Sequence, residues 1–430
     1  MSSTTSGSIP TSNVANRSKH APDYQLLACI GILVPFGLMM VYSASFVEGI
    51  VSQEGNGAYY LSRQLVSAFI GSVGLLVAQR IDYRRLQTYA LHMMLASLVV
   101  LFAVVFIVPD DYTTTNGAQS WIKIGTLSVQ PSEFAKLTLI IYMAAWLSQR
   151  GTRLQRLLTG MLPFAVSAGS IAALILIGGD LGSATVVVVV AALVYFIAGA
   201  SLVHMALAIV IGLISFLFAI NVAAYRLDRI NAWLDPETYV KSAWQPLHGL
   251  YALASGGLFG VGLGESRQKY LWLPQSFTDT ILAIIGEEFG LLGTLFVVAC
   301  FIFIAYRGFK IASAAPNGFA MLLATGITLW LVFQAIISFA VVTTLVPFTG
   351  ITLPFLSYGG TSLMVSMVAV GILLNISKYT LVDAPHTNVL GLLHERYRRL
   401  LTAVSALWGR DRRSRLSVAR RGRGPETDPS

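Results

Sequence analysis

Charge is scarce in this chain. Asp, Glu, Lys and Arg make up 11% of its 430 residues, against 55% hydrophobic ones, and the mean hydropathy is +0.70. So few polar residues cannot cover a soluble globule of this size, which points to a polytopic membrane protein. Cysteine is nearly absent: Cys29 and Cys300 both lie in apolar runs. That excludes a disulfide framework or a thiolate metal site and leaves packing as their role. A phosphate-binding Walker loop, a G-x-S-x-G elbow and a His/Cys ligand cluster are all missing, so neither a nucleotide motor nor an intrinsic metal centre is expected. No internal repeat is apparent, which weakens an inverted-repeat transporter without removing it. The first 23 residues are rich in Ser, Thr and Asn and contain no apolar core. They read as a disordered tail, not a cleavable signal, so the first span stays in the protein.

The charge that is present is biased to +9. It does not form the basic stripe of a nucleic-acid partner; it sits in short loops and in the C-terminal tail, the pattern of membrane topology and anionic headgroups. Crossing about 30 Å of hydrocarbon takes roughly 20 helical residues. Apolar runs of that order occur near 24–45, 61–79, 87–108, 132–148, 159–178, 181–199, 203–224, 280–306, 318–341 and 360–377. The expected fold is therefore all-α with about ten transmembrane helices. Arg80, Arg84 and Arg85, then Arg150, Arg153 and Arg156, then Arg307 and Lys310 fall in loops on the side of the amino terminus. By the positive-inside rule both termini are expected in the cytoplasm, with a large extracytoplasmic loop, 225–279, between spans 7 and 8. The tail from 379 to 430 is basic; it reads as a topology signal and lipid-surface anchor, with His386 to Leu407 as an amphipathic surface helix.

Chemistry is expected in the stretch Gln268 to Gly290, QKYLWLPQSFTDTILAIIGEEFG. Carboxylates in a segment this apolar are kept where they face a cavity, a partner or a reaction. Asp279 has two readings: a cap on the following helix, or a general base whose pKa the surroundings tune. Glu287 lies about 12 Å deeper along a helix, too far to share a proton and suited to ordering a polar network. Lys136, one turn into an apolar helix, either snorkels to the headgroups or lines a site for an anion; Pro131 and Glu133 before it are helix-start chemistry. Asp180 in GGDLGSA reads as a helix cap, and Arg63 with Gln64 as an interfacial anchor. Leu247 to Leu263, apolar but broken by glycines, suits a re-entrant element walling a groove.

Five motifs in order, GAQSWIKIGTLSVQPSEFAK, GGDLGSA, GGLFGVGLGESRQKYLWLP, FTDTILAIIGEEFG and LPFLSYGGTSLM, resemble the SEDS family of FtsW/RodA-type peptidoglycan glycosyltransferases. The resemblance covers nearly all of 24–378, and GLGESRQKY is closer to the division-type FtsW branch. It implies polymerisation of lipid II on the outer face of the bacterial cytoplasmic membrane, at the division septum. Asp279 matches the family's essential aspartate, the base on the acceptor hydroxyl, with undecaprenyl pyrophosphate leaving. The resemblance also implies substrate-binding roles for Arg63, Glu133, Lys136, Asp180, Gln268, Lys269, Glu287, Glu288 and Ser357. Lys136, Arg63, Lys269 and a divalent cation, Mg or Mn, are the expected sources of positive charge. Implied partners are a class B penicillin-binding transpeptidase and other divisome proteins. The chain departs from the family pattern at Phe277, where His is usual, at Thr280, and at His248, where Gln is expected; Gly359-Gly360-Thr361-Ser362-Leu363 is a milder change. Alternative readings are a lipid II flippase, an elongation-type polymerase and a non-enzymatic division scaffold.

Overall fold

The structure, a computed structural model, describes residues 20–108, 114–115, 118–124, 127–222 and 224–380. Most of the expected N-terminal tail and the basic segment from 381 onward, including the amphipathic helix expected at 386–407, lie outside the described residues. In chain order the α-helices are α1 (Tyr24–Ser52), α2 (Tyr59–Arg80), α3 (Arg84–Phe106), α4 (Pro131–Leu147), α5 (Leu162–Ile177) and α6 (Leu181–Ile197). They continue with α7 (Leu202–Val222), α8 (Ala224–Leu234), α9 (Val240–Gly256), α10 (Ile281–Ser313), α11 (Gly318–Val342) and α12 (Gly360–Ser377).

Each of the ten apolar runs expected to span contains a helix. Eight segments among the described residues are long and apolar enough to cross a membrane, α5 counting together with the π-turn Leu157–Met161 before it; α4 and α6 are shorter, at 17 residues each. The protein is a multi-pass helical membrane protein. The caps explain several boundaries. Asp23 accepts from Leu26 N–H at the start of α1, and Asn317 accepts from Ala320 N–H at the start of α11; Pro131 opens α4 at a position where its missing N–H costs nothing. α12 packs along α2, and α11 against α4, α6 and α10. α7 stands at the periphery with only His204, Ala219 and Ile220 buried, its remaining apolar surface facing outward as a lipid-facing helix does. Two antiparallel hairpins, β1 (Thr114–Thr115) with β2 (Ala118–Gln119) and β3 (Ile122–Ile124) with β4 (Leu127–Val129), occupy a segment the sequence presents as a loop.

The connections sort to two ends of the bundle. At one end the Arg307 guanidinium binds Asp23 at 2.6 Å, Asn317 reaches Tyr83, and Tyr83 N–H donates to Asn375. At the other end Gln130 meets Asp180, Trp233 donates to the Thr344 carbonyl, and Gln64 donates to the Ser357 carbonyl.

The segment expected to be re-entrant is half helix. α9 runs to Gly256; the chain then turns and lies beside α10 where that helix is broken at Gly290, whose φ is 65°. Freed backbone groups pair across the break: Val261 N–H donates to Glu287 O and Gly262 N–H to Glu288 O, while Leu291 and Leu292 N–H donate to Gly257 and Leu258 O. Irregular backbone inside a membrane protein is tolerated when its polar groups find such partners. The approach is close enough that a Cβ at Gly256 would overlap the Gly286 carbonyl. Gly256→Ala should therefore cost about 1–3 kcal/mol or more of stability, read as a lower thermal midpoint in nanodiscs; an unchanged midpoint would contradict the packing described.

Candidate functional site

Between Gln268 and Thr280 the chain forms consecutive turns instead of helix. Leu271 (φ 65°) and Gln275 (φ 54°) hold left-handed backbone that non-glycine residues rarely adopt, a strain of order 1–3 kcal/mol each that tends to cluster at functional sites. These turns bring Asp279 beneath α9. The Gln245 amide nitrogen donates to the Pro274 carbonyl at 3.0 Å and lies 3.3 Å from Asp279 Oδ1; the Thr278 hydroxyl is 3.0 Å from the same oxygen. Asp279 Oδ2 lies 3.7 Å from where a side chain on Gly350 would begin. The capping role is not taken: Thr280 is the N-cap of α10, and the helix start has no side-chain cap bond. Burial pushes the Asp279 carboxyl up to about 6, against the opposing pull of the Thr278 bond and the Arg229 charge. A carboxylate in that range is poised to accept a proton near neutral pH.

Beside it opens a cavity of about 900 Å³, lined by Tyr225, Arg229, Lys241, Trp244, Gln245 and Phe348 among others. Arg229 is braced over the Tyr225 and Phe348 rings at 5.8 and 5.5 Å. Two cations, the Asp228 carboxylate, a bonded amide and aromatic walls thus stand beside the raised Asp279 carboxyl. Among the described residues no group of three or more His, Cys, Asp and Glu side chains converges that could hold a metal ion.

The other residues singled out in the sequence are distributed differently. Lys136 is 3% exposed and does not snorkel; its ammonium is bound to Glu133 at 2.8 Å and Gln334 at 3.0 Å and sits over the Trp330 ring. Asp180 is a cap, accepting from Ser183 N–H, and also holds the Gln130 amide. Lys269, expected as a cation beside Asp279, is buried; it pairs with Glu288 at 3.2 Å and reaches the Ser43 hydroxyl and the Gly264 carbonyl. Glu287 accepts from the Ser266 hydroxyl and from the Arg267 N–H at 2.9 Å, so it fixes the start of the turn segment. Gln268 Oε1 is bonded to His248 on α9. Ser357 closes its own turn, accepting from Leu353 N–H, and Arg63 lies over the Tyr59 ring at 4.4 Å. Of these, Lys269, Gln268 and Glu287 tie the turn segment to α1, α9 and α10. The charge that acts on the raised carboxyl is that of Arg229, Lys241 lines the adjoining cavity, and the amide partner is Gln245. Sequence reasoning missed all three. The signal available was the Arg226/Arg229 pair, one turn apart in YRLDRINAWL, which is an amphipathic and not a purely apolar stretch.

Comparison with known proteins covers the same ground. Residues 24–381 match the FtsW/RodA/SpoVE family, described as cell cycle proteins. The probable peptidoglycan glycosyltransferase FtsW of Trichlorobacter lovleyi is 40% identical over 356 residues, 83% of this chain and 93% of that protein. Stage V sporulation protein E of Bacillus subtilis is 38% identical over 363 residues, 84% of this chain and 98% of that one. Among solved structures, a chain from a peptidoglycan synthase complex that coordinates polymerization and crosslinking matches with a TM-score of 0.67 at 25% identity, covering 84% of this chain and 99% of that chain. The rod shape determining protein RodA of Thermus thermophilus matches with a TM-score of 0.62 at 25% identity and the same coverage.

Proposed function

This chain belongs to the FtsW/RodA/SpoVE family of cell cycle proteins, and on that premise we propose that it is a peptidoglycan glycosyltransferase that polymerises lipid II, with Asp279 as the general base. The observation that carries the assignment of the base is the state of Asp279: released from helix capping, raised to about 6, and held by Gln245 at the margin of a cavity that also contains Arg229. The acceptor sugar 4-hydroxyl gives its proton to the carboxylate as its oxygen attacks the donor's anomeric carbon. The bond from that carbon to the undecaprenyl pyrophosphate oxygen breaks, the configuration inverts, and the leaving group departs with the electron pair. Charge develops on the pyrophosphate, where Arg229 and Lys241 in the cavity wall stabilise it. The polar groups bonded to Asp279 are the Gln245 amide and the Thr278 hydroxyl, and Asp228 is a second carboxylate in the cavity lining. Mg or Mn would come with the substrate's phosphates, and no step above depends on it.

The site belongs to the end of the bundle opposite the basic loops, which supports an extracytoplasmic active site, cytoplasmic termini and residence in the bacterial inner membrane. The FtsW-named relatives support division-type work at the septum, and the synthase-complex neighbour supports pairing with a cross-linking partner, a class B transpeptidase, within the divisome. No observation favours a flippase: Glu287 and Glu288, the charges such a cycle would move, are bound to Ser266, the Arg267 amide, Ser43 and Lys269.

The test is formation of glycan strands from labelled lipid II by the full-length protein with its transpeptidase partner. Polymer supports the reading; lipid II moved between leaflets without chain growth contradicts it. In the same assay Arg229→Ala should lower the rate about 10²–10³-fold, the usual cost of removing one stabilising donor. It should also move the acid limb of the pH–rate profile upward, because the Arg229 charge favours ionised Asp279. A full rate with an unmoved profile would take Arg229 out of the site.

A further inference from the structure

Next to the reacting carboxyl stands an aromatic patch that the reaction as described does not use. The rings of Trp244, His248 and Trp272 have centroids 4.1, 5.9 and 6.2 Å apart, and their planes lie within 35° of one another. Trp244 and Trp272 nevertheless remain 39% and 54% exposed. We propose that this patch is a carbohydrate subsite on which a sugar ring of the glycan strand stacks while its neighbour reacts at Asp279. The proposal rests on the polymerase reading above and names where the strand lies.

Three features support it. The patch is rigid before any ligand arrives: the Trp244 indole N–H donates to the Trp272 carbonyl at 2.8 Å, and His248 Nδ1 is bonded to Gln268 Oε1 at 2.8 Å. Strained, left-handed Leu271 directly precedes Trp272, and Gln275 lies three residues beyond, so the backbone presenting the ring is over-determined rather than loose. The patch is also continuous with the site. Trp244 lines the 900 Å³ cavity, and the next residue, Gln245, holds Asp279.

The chemistry selects the ligand. Stacked indole faces carry no net charge and do not suit a pyrophosphate, for which Arg229 and Lys241 stand elsewhere in the cavity wall. An acyl chain would offer no polar partner to the neighbouring Lys241 and Ser242. A pyranose fits both demands, with C–H faces to lie on an electron-rich indole and hydroxyls at its rim for the amide and ammonium groups. A structural alternative is an interfacial belt, in which Trp rings anchor a protein at the headgroup level. In that role a ring at the interface is what counts, and a soluble sugar is not bound.

The probe is the soluble β-1,4-linked tetramer of N-acetylglucosamine, added to the full-length protein in nanodiscs. Binding is read by saturation-transfer NMR on the sugar C–H protons and by calorimetry. Wild type and Trp272→Phe should bind within about threefold of each other, whereas Trp272→Leu should bind at least tenfold more weakly with an unchanged thermal midpoint. Asp279→Asn should bind the tetramer as wild type does. No binding by wild type, equal binding by Trp272→Leu, or equal loss in the Phe and Leu variants would each overturn the subsite. The two readings fail separately. Polymer from lipid II without tetramer binding removes the subsite and leaves the reaction; tetramer binding through Trp272 without polymer removes the reaction and leaves a sugar site.

Discussion

Asp279→Asn should reduce glycan polymerisation by about 10²–10⁴-fold, the usual contribution of a positioned base, while leaving the protein folded and bound to its partner. Asn keeps the shape and the contacts to Gln245 and Thr278 but cannot take the proton. Loss of activity through unfolding is opposed by the sign of the pKa shift. The Asp279 carboxyl goes from 3.8 to about 6 because burial disfavours its charged form. Between those values the folded state holds the proton more tightly than the unfolded chain, so stability falls as pH rises through the window and stays lower above it. Removing that charge should make Asp279→Asn at least as stable as wild type at pH 7. The same shift sets the pH dependence of the wild-type rate. The base works as a carboxylate, so the rate should climb through pH 6, level off above it, and fall about tenfold per unit well below it.

Glu288→Ala should be the most damaging substitution for stability, at about 3–5 kcal/mol, because it strands a buried cation. Lys269 is 5% exposed, and without Glu288 its ammonium keeps only the Ser43 hydroxyl and the Gly264 carbonyl. Ser43 also donates to Glu288 at 2.6 Å, so the loss loosens α1, the turn segment and α10 together. The check is a thermal or denaturant midpoint in detergent or nanodiscs, alongside the pair Lys269→Met with Glu288→Leu. Exchanging both charges for apolar groups of similar volume should recover most of the loss. The double variant also asks whether Lys269 serves the substrate. Retained polymerisation would fit its structural pairing, and a rate loss like that of Arg229→Ala would return it to the site.

Much of the frame was legible because a bilayer demands long apolar helices, and few sequences meet that demand by accident. Asp180 and Pro131 were readable as helix starts for a local reason: caps act within three residues. Lys136 read as snorkelling or as lining an anion site, and neither its pairing with Glu133 nor its burial against Gln334, 198 residues away, was legible. Lys269 looked adjacent to Asp279 because it is ten residues off in sequence; consecutive turns send its side chain toward α1 instead. Gln245 and Arg229 lie 34 and 50 residues before Asp279 and come near it only because α8 and α9 fold back over the start of α10. The sequence showed that stretch as a glycine-broken wall, and neither helix was expected. Its irregular half is stabilised by backbone pairing across Gly290, a partnership with no local signature.

The measurement that bears most directly on the central claim is glycan-chain length from labelled lipid II, comparing wild type and Asp279→Asn, each purified as an intact complex with the transpeptidase. Long strands from wild type and none from the variant is the predicted result. Equal strands from both would mean that Asp279 is not the base, whatever its pKa and its place beside the cavity.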